Sequence, residues 1–205
     1  MKKTIALLGV GFILGMGIIF GYKAVEPKPA FHEHADFALF LNGKQFDFSG
    51  NEFMHVEPCV SFNPLFQEAY AHGEAEELKE AVDLHDNVGP VIHVHQAGTS
   101  YHDFFESLGM IFENTHFVDR EGKETRNNET HSWRFFLNGK EVSSLANTEI
   151  RDLDRVLITY GPRDRSMASI QAELGQVTND ACVASEKCPH RPASLSTETC
   201  GNNSG

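Results

Sequence analysis

The chain has 205 residues, 40% of them hydrophobic, which is room for one compact domain or two small ones and too apolar for a disordered chain. Its 17 Lys and Arg stand against 29 Asp and Glu, a formal net charge of -12. A nonspecific nucleic-acid binder needs a basic surface to displace counterions, so that class is set aside. Histidine is the unusual component: there are 11, and eight fall between His32 and His102.

Lys2 and Lys3 precede an uncharged apolar run from Ile5 to Tyr22. As a helix this run spans roughly 27 Å, near the lower limit for a bilayer core. Tyr22-Lys23-Ala24 has a bulky Tyr where signal-peptide cleavage wants a small residue. An uncleaved transmembrane anchor over residues 1–23 is therefore expected, with its N-terminus inside and the body extracytoplasmic on a single-pass cell-membrane protein. Gly11 and Gly15, and again Gly17 and Gly21, have the spacing that lets membrane helices pack together, so self-association is one expected partnership and an envelope protein another. The exported part keeps 14 basic and 29 acidic residues, a net -15. Residues 24–30, with Pro27 and Pro29, read as a stiff linker.

From Phe31 the pattern becomes that of a folded domain. Phe40-Leu41-Asn42-Gly43-Lys44 repeats as Phe136-Leu137-Asn138-Gly139-Lys140, 96 positions later. Asn-Gly between apolar runs predicts a hairpin with a type I′ turn at each place, from a duplicated half-domain or from two unrelated hairpins. Alternation puts Phe37, Leu39 and Leu41 on one face of the first and Trp133, Phe135 and Leu137 on one face of the second. Between them, Pro64 to Val82 reads as an acidic surface helix broken at Gly73. Val82 to His85 and Val91 to His95 flank Asp86-Asn87-Val88-Gly89-Pro90 as a further hairpin. Ser100 and Asp103 cap a helix whose Tyr101, Phe104, Phe105 and Leu108 form a core stripe closed by Gly109. A hairpin around Glu121-Gly122-Lys123 follows, then the second Asn-Gly hairpin, and Val156 to Tyr160 as a strand ended by Gly161-Pro162. Met167, Ile170, Leu174 and Val177 supply the apolar face of a last helix, and from Pro189 the composition is that of a loose tail.

The expected fold is α+β: an antiparallel sheet built from several hairpins with two to three short helices, after one N-terminal transmembrane helix. The exported domain covers residues 31–180, and a Cys-containing C-terminal tail covers 181–205. The order of elements around Leu153 to Ile158 also shares the pattern of a β-grasp.

Two histidine clusters carry the candidate chemistry. On an extended strand His32, His34 and Asp36 share one face while Ala35, Phe37 and Leu39 share the other. His93 and His95 likewise share a face, and the preceding turn returns Asp83 and His85 to the neighbouring strand. Cross-strand neighbours lie about 5 Å apart and diagonals about 7 to 8 Å, so several of these groups can converge. Imidazoles with a carboxylate are a ligand set for Zn or Cu. The expected ligands are His32, His34, Asp36, His85, His93 and His95, with Asp83 orienting an imidazole from behind. The alternative for the same residues is a pH-sensitive face. The other six histidines are read as ordinary surface or hydrogen-bonded residues. The His-Glu-x-x-His helix of metalloproteases is missing, so no hydrolase is read from motif.

Cys59, Cys182, Cys188 and Cys200 are an even count on an oxidising side, so up to two disulfides are expected, in any of three connectivities. No Cys-x-x-Cys is present, and five residues separate Cys182 from Cys188. Thiol-disulfide exchange through Cys182 and Cys188, and a non-enzymatic surface scaffold, are the alternatives to metal binding.

Several segments together resemble a largely uncharacterised family of single-pass exported proteins from small-genome uncultured bacteria. They are His34-Ala35-Asp36-Phe37, Leu41-Asn42-Gly43-Lys44-Gln45-Phe46-Asp47-Phe48, Leu84-His85-Asp86 with Val91-Ile92-His93-Val94-His95, Asp152-Leu153-Asp154-Arg155-Val156-Leu157-Ile158, and Ser185-Glu186-Lys187-Cys188-Pro189. The resemblance covers nearly the whole chain after the anchor. Members are often labelled protein-disulfide isomerase, which the resemblance implies for this chain without supplying catalytic residues. Their recurring Leu-His-Asp and Ile-His-Val segments fall on the second histidine cluster.

Overall fold

The computed structural model describes residues 31–55, 74–85 and 89–190. The expected anchor and linker, the part of the expected helix from Pro64 to Gly73, Asp86, Cys59 and Cys200 lie outside the described residues. Among the described residues no helix is long and apolar enough to cross a membrane.

Both Asn-Gly pairs make the turns their chemistry demands. Asn42 and Gly43 have φ of 53° and 80°, and Asn138 and Gly139 have 53° and 77°. Only Asn and Gly enter that left-handed region cheaply, so each pair closes a tight hairpin. The first joins β1 (Glu33–Leu41) to β2 (Lys44–Gln45). The second joins β8 (His131–Leu137) to β9 (Lys140–Val142).

Between the hairpins lie α1 (Glu74–Ala81), β3 (Val82–Asp83), β4 (Val91–Val94) and α2 (Tyr101–Ser107). A separate three-stranded sheet follows, with β5 (Ile111–Glu113), β6 (His116–Val118) and β7 (Glu124–Arg126) in that order. After β9 come β10 (Arg155–Pro162), α3 (Met167–Leu174) and the one-turn α4 (Ala181–Ala184). β10 runs two residues past the expected stop at Tyr160, because Gly161 and Pro162 still pair with Ser132 and His131.

The main sheet has the order β3-β4-β1-β10-β8-β9, with β2 also paired to β1. The expectation of an antiparallel sheet is corrected at its centre: β1 and β10 run parallel, Asp36 beside Arg155 through Leu41 beside Tyr160. Hairpin signals report only neighbours in sequence, whereas this pairing joins segments more than a hundred residues apart. The two Asn-Gly turns bracket β10, for the Asn42 N–H donates to the Tyr160 carbonyl and the Asn138 N–H to the Arg155 carbonyl, both at 2.8 Å. The two strands of the main sheet's parallel pair thus each carry an antiparallel partner, β2 on β1 and β8 on β10.

Being central, β1 is covered on both faces, and every residue from His34 to Phe40 is buried. One face packs Ala35, Phe37 and Leu39 against the α2 stripe Tyr101, Phe104, Phe105 and Leu108. The Phe37 ring lies 5.0 Å from Phe104 and 4.9 Å from Phe48. Ser100 caps α2 with the reciprocal bonds expected, accepting from the Asp103 N–H while Asp103 accepts from its own. The other face carries a smaller cluster, Ala38, Phe40, Phe136, Leu157, Ile170 and Val177, beneath α3. Met167 was expected on the apolar face of that helix; it stands 49% exposed at the first turn, where its sulfur meets Arg134. Gly89 answers a close approach rather than a turn angle: a Cβ there would sit 2.7 Å from the backbone of Phe48 and Ser49.

Candidate metal centre

β3, β4 and β1 lie side by side and antiparallel at one end of the sheet. Their register sets Asp83 opposite His93 and His93 opposite His34, a row crossing three strands. Val82, Leu84, Ile92, Val94 and Ala35 turn into the larger core from these strands. Burial of that face commits the alternate residues to the opposite one. His95 follows the end of β4 and His32 precedes β1, and their rings meet at 4.8 Å. His85, just past β3, places its ring 3.5 Å from His93.

Six of the expected site residues thus come together. His32, His34 and His93 form one group in which a ligand atom from each lies within 4.8 Å of the others; Asp83, His85 and His95 form a second. Ring centroids are 4.4 Å apart for His32 and His34 and 4.6 Å for His34 and His93. His34, His93 and Asp83 are buried, His85 and His95 half-buried, and His32 exposed. The cluster therefore has a dry floor and a wet rim.

Hydrogen bonds assign the proton on two of these imidazoles. The Ser185 hydroxyl donates to Asp152 at 2.5 Å, and its oxygen lies 2.7 Å from His34 Nδ1. The hydroxyl proton being committed, Nδ1 must donate, which leaves the His34 lone pair on Nε2. Asp152 also accepts from the His34 backbone N–H and from Lys187. In the second group His85 Nδ1 donates to Asp83 at 2.8 Å, and His95 Nε2 lies 3.5 Å from the other Asp83 oxygen. His93 Nδ1 is buried without a hydrogen-bond partner among the described residues, a cost of about 1 to 3 kcal/mol in the absence of a cation or proton to meet it.

The electrostatics favour neutral imidazoles over an ionised carboxylate. Burial, with His32 nearby, pushes His34 down to about 4. Burial and then His85 push His93 down to about 2. Burial alone would raise Asp83, but hydrogen bonds from His85 and His95 outweigh it and hold the carboxyl below the ordinary range. Metal ligands must be deprotonated, and at neutral pH His34, His93 and Asp83 are. The donor set and the orphaned nitrogen fit a transition-metal ion.

Asp36 does not join the cluster. It is buried on the expected face, but its carboxylate accepts from Thr178 and from the backbone N–H groups of Asp180 at 2.7 Å and Ala181 at 3.1 Å. Asp36 thus pins the segment that leads into α4, and α4 carries Ser185 to His34. Cys182 and Cys188 close a disulfide around that same short segment. Among the remaining histidines, His102 Nδ1 bonds the Phe112 carbonyl at 2.9 Å, and His131 stacks on Tyr160.

Ser185 and Asp152 are absent from the expected site, for neither is a histidine nor near one in sequence. Comparisons with models of known families, with curated proteins and with solved structures found no match for this chain.

Proposed function

We propose that this protein is a membrane-anchored extracytoplasmic module whose histidine cluster binds Zn(II) or Cu(II) for sequestration, delivery or a metal-dependent role. The observation that carries the reading is the convergence of His32, His34 and His93 within 4.8 Å. Bonds of about 2.0 to 2.1 Å to three imidazoles leave a fourth position for water or an incoming ligand. An exposed His32 beside buried His34 and His93 supports exchange with the surroundings, since structural zinc sites are closed by four protein ligands. The apolar run from Ile5 to Tyr22 and the family resemblance support the location.

The test is metal content. The full-length chain, solubilised in mild detergent, is expected to retain a stoichiometric transition metal and the His93→Ala/His95→Ala variant to lose it. Absence of metal, together with no uptake on titration with Zn or Cu, removes the reading. A second reading, thiol-disulfide exchange, draws on the Cys182–Cys188 disulfide. Insulin reduction abolished by Cys188→Ala would establish it. Against it, Cys182 is buried and its disulfide sulfur accepts from the Asn179 side-chain amide, the setting of a structural cysteine.

A further inference from the structure

We propose that the cluster takes two transition-metal ions rather than one, the second held by Asp83, His85 and His95 beside the ion of His32, His34 and His93. The inference rests on the metal-binding reading above and sharpens its stoichiometry. A single ion with bonds of about 2.0 to 2.2 Å keeps all its donors within roughly 4.4 Å of one another. The six donors here fall into two groups of three, each within 4.8 Å, a spread that a shift of roughly half an ångström brings within reach of one ion.

The second group is already spaced for an ion. The edges of a tetrahedral site with bonds near 2.1 Å measure roughly 3.4 Å. His95 Nε2 stands 3.5 Å from one Asp83 oxygen and His85 Nδ1 2.8 Å from the other. A cation replacing the proton between His85 and Asp83 has to open that edge by only about half an ångström. Asp83 is 6% exposed, and a buried carboxylate calls for a compensating charge. A divalent ion supplies it more fully than one shared proton.

The two sites touch. The His93 ring of the first group lies tilted with its centroid 3.5 Å from that of His85 of the second, and His32 meets His95 at 4.8 Å. His93, 6% exposed with an unpartnered Nδ1, is the group between them. Two cations so close repel, and the negative charges needed to offset this are at hand. Asp83 lies within the second group, and Asp152 stands behind His34 through Ser185. The second group has a carboxylate among its donors and the first is an all-imidazole set, and both donor sets suit Zn(II) or Cu(II).

The experiment uses Cu(II) as the probe. Full-length chain in detergent is stripped with a chelator, loaded with Cu(II), and passed through gel filtration with excess glycine to remove surface-bound copper. Two copper ions per chain are expected, falling to one in Asp83→Ala/His85→Ala and to one in His32→Ala/His34→Ala. Loading the second equivalent is expected to broaden the electron paramagnetic resonance signal and add a half-field transition, because two Cu(II) ions a few ångströms apart couple. Because a double variant can fail to fold, the single substitution His95→Gln at the half-exposed rim is read in parallel, and it too is expected to bind one ion. One copper per chain in the wild type, unchanged in His95→Gln, overturns the second site and leaves the metal-binding reading standing. Two uncoupled ions overturn the adjacency. No retained copper overturns the metal-binding reading itself.

Discussion

Ser185 Oγ lies 2.7 Å from His34 Nδ1, although 151 positions separate the two residues. Asp152 completes the relay, so a residue from the C-terminal segment and one from the loop before β10 determine which nitrogen of a β1 histidine faces the cluster. Partners of this kind behind a ligating imidazole typically contribute 10- to 100-fold to metal affinity. Ser185→Ala is expected to weaken Zn(II) binding by about that factor while leaving the number of ions at saturation unchanged. Competition against a chromophoric chelator measures it, and an unaltered affinity would refute the role given to Ser185.

Acid should destabilise the metal-free protein before any carboxylate titrates. His34 and His93 lie at about 4 and about 2 when folded, against 6.5 when exposed. Below pH 6.5 the unfolded chain therefore takes up protons that the native state refuses. Stability rises with pH through this window and falls as pH drops toward 4, by up to about 1.4 kcal/mol per pH unit for each histidine. Asp83 acts in the same direction only as pH falls through and below the ordinary carboxylate value, since its folded value is depressed. Urea midpoints of chelator-treated protein between about pH 7 and about pH 4.5 test this. His93→Leu should roughly halve the slope, and a flat wild-type profile would show that the imidazoles are not buried neutral.

Asp36 on β1 and Asp83 on β3, with β4 between them, are both buried carboxylates, yet their loss should read differently. Asp36→Ala removes the acceptor of the half-buried Asp180 N–H and of the buried Ala181 N–H, at about 1 to 3 kcal/mol for the buried donor. The denaturation midpoint is expected to fall with metal stoichiometry at saturation intact. Elemental analysis showing an ion lost in Asp36→Ala would return Asp36 to the ligand set.

Phe105 and Met167 give a second contrast. Phe105 is fully buried, with rings of Phe104 and Phe112 at 5.0 and 4.8 Å, so Phe105→Ala should cost about 3 to 5 kcal/mol. Met167, half in solvent, should cost less than about 0.5 kcal/mol as Met167→Ala. Chemical denaturation of the two variants decides it, and equal losses would contradict the assignment of the core.

Local features were legible because their causes are local. The Asn42-Gly43 and Asn138-Gly139 turns, the Ser100–Asp103 cap, the α2 stripe and the face shared by His93 and His95 each depend on residues within a few positions. Strand periodicity also put His32 and His34 on the face opposite Ala35 and Phe37. Asp36 shows the limit of that reasoning. Its face is as expected, but it lies about 7 Å along the strand from His34, and the backbone of Asp180 and Ala181 claims its oxygens.

What the sequence by itself determined is the two Asn-Gly hairpins and the one around Gly122, the capped helix, and the alternation that confines the clustered histidines to one face; the β5–β6 hairpin carried no such signal. Tertiary structure alone decided that β1 runs parallel to β10 and that β3, β4 and β1 line up with Asp83, His93 and His34 in one row. It also decided that Ser185 and Asp152 stand behind that row. The physical reason is register: pairing between distant segments is selected by burying both faces of a central strand at once. No short window of sequence carries that requirement.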